Sequence, residues 1–249
     1  MKDDFMELDL DADTIDFPHL EDFIGALAYL DEMRDGLPHL HERSISQLTE
    51  HSIKNSQSWE EYCGDSFEVE VIYRFHVPRA LYFSFLIYLT SLVENKLNEV
   101  AKVVERVKLL PLSFRDINGD GSAIERVKKY ISKLGGIEIA QIEGWDFLRD
   151  LAKIRNILVH QGGMLIPDKK HRKEIQELSK RNNNLVTATP AWDHEDAKIN
   201  FGDEYCRVSA KQAYAFFQKL IKKCRLSVGK IKSSSPKIEP NESVSGNDD

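Results

Sequence analysis

The run Ala80-Leu-Tyr-Phe-Ser-Phe-Leu-Ile-Tyr-Leu-Thr-Ser-Leu-Val93 constrains this chain more than any other stretch. It is shorter than the ~20 apolar residues that span a bilayer. Pro78 suits the first turn of a helix, and the spacing predicts one long helix from Arg79 to about Lys108. The first half of that helix is apolar on nearly every side. Its second half is amphipathic, with Glu94 at the changeover and Leu97, Val100, Ala101 and Val104 on the core face. A helix that is apolar all round needs neighbours on two sides, which fits a deep core or a dimer interface.

The remaining punctuation predicts more helices. Pro18 to Arg34 reads as a short one, ended by Asp35-Gly-Leu-Pro38, and Leu40 to Tyr62 as another. Phe67, Val69, Val71, Tyr73 and Phe75 alternate, which fits either a strand or a lead-in to the long helix. Ser122-Ala-Ile-Glu125 is a capping box that opens a helix to about Leu134, where Gly135-Gly136 stops it. Gly144 to His160 is amphipathic and ends at Gly162-Gly163. A polar insertion, about 164–208, follows. It holds a helix starting at Lys169, a break at Asn182-Asn-Asn184, and two short segments able to pair as strands (185–189 and 198–208). Ser209-Ala-Lys-Gln212 is a second capping box, opening a helix to about Arg225. From 226 onward Ser, Lys, Pro, Glu and Asp dominate, the composition of a disordered tail. The class expected is mainly α: a helical bundle over 79–225, an N-terminal helical extension over 18–78, and a small polar or β insertion before the last helix.

The net charge of −7 hides an uneven spread. Residues 1–35 sum to −10, so residues 36–249 sum to +3, and an acidic total does not argue against a nucleic-acid partner. The acidic arm 1–17 is either a solubilising segment or a strip that covers a basic site in competition with a polyanion. Cys63, Cys206 and Cys224 are odd in number and form no C-x-x-C pair. That spacing indicates reduced thiols in a cytoplasmic protein, without a disulfide scaffold or zinc site. Asp116-Ile-Asn-Gly-Asp-Gly121 matches the start of a calcium loop. Position 12 is Val127, where a bidentate Glu is needed, so a turn before the capping box is the better reading. No metal or cofactor is expected.

The chemistry collects on Gly144 to Gly163. Trp145, Leu148, Ala152 and Val159 form one apolar row, and Phe147, Leu151, Ile154 and Leu158 the next. Arg155 follows Leu148 and Leu151 by seven and four, so it is expected to project from the middle of the apolar row. Asn156 and His160 are four apart and share a flank. His160 lies in the last turn, where the helix dipole favours a protonated imidazole. A fixed cation, an amide and a titratable ring at one helix end suit phosphate chemistry. Each also has a structural use: Arg155 in an ion pair with Glu94, His160 as a cap, Asn156 in a bond to a neighbouring helix. The spacing R-x-x-x-x-H is not selective, since about 0.4 copies are expected by chance in this composition. Arg34 to His39 is a second copy, which Gly36 and Pro38 should keep from being helical. Lys169, Lys170, Arg172 and Lys173 fit a solvated helix start or a track for an RNA backbone.

Arg155-Asn156-x-x-x-His160 at the end of an amphipathic helix, followed by Gly-Gly, resembles the HEPN superfamily of helical ribonucleases. Ser91-Leu-Val-Glu94 looks like the waist of that family's first core helix. Asp116 to Tyr130, with Gly121, Ile124, Glu125, Arg126 and Tyr130, looks like the second, and Ser209 onward like the last. The resemblance spans about 79–225. It implies a helical homodimer that cleaves single-stranded RNA without a metal, of the toxin, anti-phage defence or RNA-processing kind, with an antitoxin or regulatory protein as a further partner and no membrane. It assigns Arg155, Asn156 and His160 to catalysis and Glu94 to support. Some members are inactive, so a non-catalytic module binding RNA, nucleotide or protein is the alternative.

Overall fold

The apolar run is the centre of the molecule. In the computed structural model, which describes residues 15–55, 57–116, 123–165, 169–182, 186–190 and 197–233, it lies in α3, Val77–Lys108. Leu81, Phe85, Leu86, Leu89, Thr90, Val93, Leu97, Val100 and Ala101 are buried along one side. Ser84, Tyr88 and Ser91 face solvent, so α3 is a core helix with one wet edge. Around it pack α1 (Glu21–Lys54), α4 (Ala123–Lys133), α5 (Trp145–Gln161) and α7 (Asp203–Ser233). The fold is mainly α. Each fully buried large apolar side chain contributes roughly 1.5–3 kcal/mol against its exposed state.

Specific contacts lock these helices together. Phe23 of α1 stacks on Phe217 of α7, with centroids 5.5 Å apart. Lys96 of α3 is buried and pairs with Asp22 at 2.8 Å and Glu99 at 3.2 Å. Burial pulls its pKa down, and the hydrogen bonds to the two carboxylates outweigh that, for a net upward shift. Arg207 of α7 binds Asp31 of α1 and, at 2.6 Å, Asp203. Gly135 ends α4 hard against α3: a Cβ there would meet the Ile131 carbonyl oxygen at 2.6 Å and Val104 Cγ1 at 2.8 Å.

Several expected boundaries move. Asp35-Gly-Leu-Pro38 does not end a helix, because α1 runs through Pro38 to Lys54. The lost backbone bond is tolerated because both halves are held by neighbours, the first by α3 and α7 and the second by α2. α1 ends instead at Lys54, before α2, Trp59–Val71. There Ser58 and Glu61 form a reciprocal capping box that the sequence carries in plain view. Residues 67–75 are helical, not a strand. α2 passes into a π turn, Ile72–His76, and then directly into α3.

The insertion holds α6, Lys169–Arg181, and a small antiparallel sheet of order β1-β3-β2. Its strands are β1 Met164–Leu165, β2 Val186–Pro190 and β3 Ala197–Phe201. Thr187 pairs with Asn200, and Met164 with Lys198. β3 stops at Phe201 rather than near 208, because α7 already begins at Asp203. Ser209 is therefore a buried residue inside α7 and caps nothing. The signal for the earlier start is Gly202 followed by Asp203 and Glu204, acids in a first turn. α7 also runs past Arg225 to Ser233. The arm up to Thr14, residues 117–122 (most of the calcium-like loop, and Ser122) and the tail from 234 lie outside the described residues.

Candidate active site on the last turn of α5

α5 is fixed at both ends by glycine. Gly144, at φ 98°, opens it against Phe216, which a Cβ would approach to 3.3 Å. Gly162 and Gly163, at φ 57° and 79°, close it, and the Gly163 N–H donates to the Ile157 carbonyl at 3.2 Å. Between them Trp145, Leu148, Leu151, Ala152, Ile154 and Leu158 are buried. The apolar rows hold for three turns and then open: Val159 is exposed.

The opposite side is polar throughout. Arg149, Lys153, Asn156 and His160 are all exposed and lie within about 60° of one another around the helix. Arg155 is half-buried at the border between the two sides. Its Nη1 donates to Asn156 Oδ1 at 3.1 Å, which leaves the Asn156 amide N–H groups free to donate outward. His160 stands one turn further on. Glu94 is half-buried on α3, and among the described residues it makes no ion pair with Arg155. Among the described residues the guanidinium is thus held by its own helix at the edge of the core and not in a buried pair.

Two groups reach this helix end from elsewhere in the chain. Phe83 of α3 lies under the glycine stop, so close that a Cβ on Gly163 would be 2.8 Å from its Cε2. Its ring stacks on Phe201 at 5.1 Å, and the Arg79 guanidinium lies 4.8 Å from its centroid. Arg79 is a cation that no local pattern links to α5. The second group is α6. At its C-terminal end Arg181 grips Asp150 of α5 through Nε and Nη2, at 2.8 and 2.9 Å. Asp150 is buried, and its hydrogen bond is the main reason the Arg181 pKa is raised. At its other end α6 begins four residues after Leu165, within about 14 Å of chain. α6 is thus tied to α5 at Arg181, and its start lies within that reach of Leu165. Lys173 is exposed, and the side chains of Lys169, Lys170 and Arg172 lie outside those described.

Other clusters are committed elsewhere. Arg34, in the second copy of the spacing, is helical after all, but its guanidinium is tied to Asp31, Asp35 and Asp203. Among the described residues no His/Cys/Asp/Glu group could hold a metal ion, and no helix is long and apolar enough to cross a membrane. Set against protein-family models, curated proteins and solved structures, the chain matches none of them.

Proposed function

We propose that the chain is a metal-independent endoribonuclease of the HEPN kind, acting on single-stranded RNA at the C-terminal end of α5. One observation supports the reading: the last turns of α5 carry Asn156 and His160 exposed on one flank, with the half-buried Arg155 joined to Asn156 by a hydrogen bond. In the reaction the RNA 2′-oxygen bonds to the adjacent phosphorus and the P–O5′ bond breaks. A base takes the 2′-OH proton and an acid returns one to the 5′-oxygen, leaving a 2′,3′-cyclic phosphate and a 5′-OH. His160 supplies the imidazole. Arg155 stabilises the charge gathering on the phosphorane, and the outward amide of Asn156 orients a phosphate oxygen. One helix carries one imidazole for two proton transfers, so a second α5 across a two-fold axis would provide the other. The basic start of α6 gives the RNA backbone a track to this end.

A non-catalytic reading has its own support. The stripe Arg149, Lys153, Asn156 and His160 is open and solvated, a surface suited to binding RNA without cutting it. The two readings separate on one variant. His160→Ala and Arg155→Ala each abolish RNA cleavage in excess chelator if the site is catalytic. RNA binding without cleavage in the wild type, unchanged by His160→Ala, overturns the enzyme and leaves the module.

A further inference from the structure

From Val71 to Val93 the chain carries no acid, and its cations there are Arg74, Arg79 and the titratable His76. Arg74 has Glu70, at 3.9 Å. Arg79 is half-buried, and among the described residues neither a carboxylate nor a carbonyl accepts from it. Asp203 and Glu204, the acids that follow Phe201, do not serve it. Asp203 binds Arg207 and faces Arg34, and Glu204 is exposed without an ion pair among the described residues. What holds Arg79 is a ring: Phe83, one turn further along α3, has the guanidinium 4.8 Å from its centroid. Phe83 is itself fixed. Phe201 stacks on it at 5.1 Å, and Gly163 leaves it room, since a Cβ there would lie 2.8 Å from Cε2. The Gly163 carbonyl accepts from the Ile199 N–H at 2.9 Å, so α3, β3 and the end of α5 are joined at this point. These contacts put the guanidinium carbon of Arg79 no more than about 11 Å from the Gly163 Cα. His160 stands about one turn before Gly163. The exposed neighbours of these residues, Ala80, Ser84, Val159 and Gly162, carry no charge that would turn a polyanion away.

We propose that Arg79 binds a backbone phosphate of single-stranded RNA lying on the end of α5, a few nucleotides from the bond on which His160 acts. The proposal rests on the α5 reading for its substrate and adds a residue of α3 to the site. A half-buried guanidinium is ordinarily matched by a carboxylate. Contact with the face of a ring uses none of the five N–H donors in a conventional hydrogen bond. All of them stay available for phosphate oxygens, which a guanidinium binds in pairs. The ring also restrains the side chain in advance, so less freedom is lost when the phosphate arrives. Arg155 meets the reacting phosphate and Arg79 a neighbouring one, which makes Arg79 a substrate-binding residue and not a catalytic one.

The test uses the full chain and a fluorescent 2′-O-methyl single strand, which cannot be cut through its 2′-oxygen. Its binding is followed by anisotropy from about 50 to 200 mM salt. Arg79→Gln weakens binding about three- to tenfold whatever the sequence, and lowers the slope of log affinity against log salt by about 0.7. Arg79→Lys keeps the charge and keeps the slope. Arg106→Gln removes an exposed cation from the same helix, about 40 Å further along, and leaves the slope unchanged. With unmodified RNA, Arg79→Gln raises the half-saturating concentration about as much as it weakens binding, whereas Arg155→Ala abolishes the cut. A slope retained in Arg79→Gln, or an equal loss in Arg106→Gln, overturns the contact and leaves the α5 reading standing. The expected loss in a chain that binds RNA but never cuts it upholds the contact and overturns the enzyme. A wild type that binds no RNA overturns both.

Discussion

Breaking the Arg181–Asp150 pair from its two ends gives unequal results. The Asp150 side chain is 4% exposed and the Arg181 side chain 47%. Arg181→Ala strands a carboxylate in the core with both hydrogen bonds gone. A buried charge left unpaired costs about 3–5 kcal/mol, and the water that enters where Arg181 stood reduces this to roughly 2–3 kcal/mol. Asp150→Ala removes the buried charge itself and releases an arginine that is already half in water. The loss is the net worth of two charge-assisted hydrogen bonds screened by solvent, about 1–2 kcal/mol. Asp150→Ala added to Arg181→Ala then recovers part of the stability lost by Arg181→Ala alone. Urea unfolding of the three variants measures these values. Amide exchange along 169–181 reports whether α6 loosens, since this pair ties its end to α5. A double variant less stable than Arg181→Ala, or Asp150→Ala as the worst of the three, refutes the account of the pair.

Three further outcomes follow from the same geometry. Gly162→Ala costs about 1–2 kcal/mol for its positive φ in open space, whereas Gly163→Ala costs more because its Cβ also strikes Phe83, as thermal unfolding will show. The fold weakens in alkali. Burial raises the Tyr130 hydroxyl and the Cys224 thiol, each to about 12, so the unfolded chain gives up these protons from about pH 8.5–10 while the folded chain keeps them. That stability is complete below about pH 8.5 and is lost by about pH 12, and Tyr130→Phe makes a denaturant-midpoint profile flatter between pH 10 and 12. For RNA binding, each neutralisation among Lys169, Lys170, Arg172 and Lys173 lowers the slope of log affinity against log salt by about 0.7 if that side chain meets a phosphate. A slope unchanged in all four removes the track.

What could be read from the residues was what periodicity encodes. α3, α4 and α5 emerge near their expected limits because their apolar stripes, Pro78 and the glycine stops are local signals. Propensity failed where tertiary contacts outweighed it: α1 absorbs Pro38 because packing on both sides of it exceeds the lost bond. The alternation in 67–75 imitated a strand, but its members divide between the exposed Phe67 and Phe75 and the half-buried Val69, Val71 and Tyr73, the last bonded to Ser44 of α1. Ser209-x-x-Gln212 has the form of a cap, but only the fold shows it buried in mid-helix. At the candidate site, α5 itself announced Arg155, Asn156 and His160. Arg79, Phe83 and Arg181 could not be found from α5, since their links to it are distant in sequence and arise only when α3 and α6 pack.

The central claim is that the end of α5 cuts RNA through the RNA's own 2′-OH. It is tested most directly by giving the purified chain two single strands of one sequence, RNA and DNA, in excess chelator, and identifying the new ends by mass spectrometry. The account predicts that only the RNA is cut, leaving 2′,3′-cyclic phosphates and 5′-OH ends, and that His160→Ala leaves it whole. Cleavage of the DNA, 3′-OH ends on the RNA, or full activity in His160→Ala would contradict it.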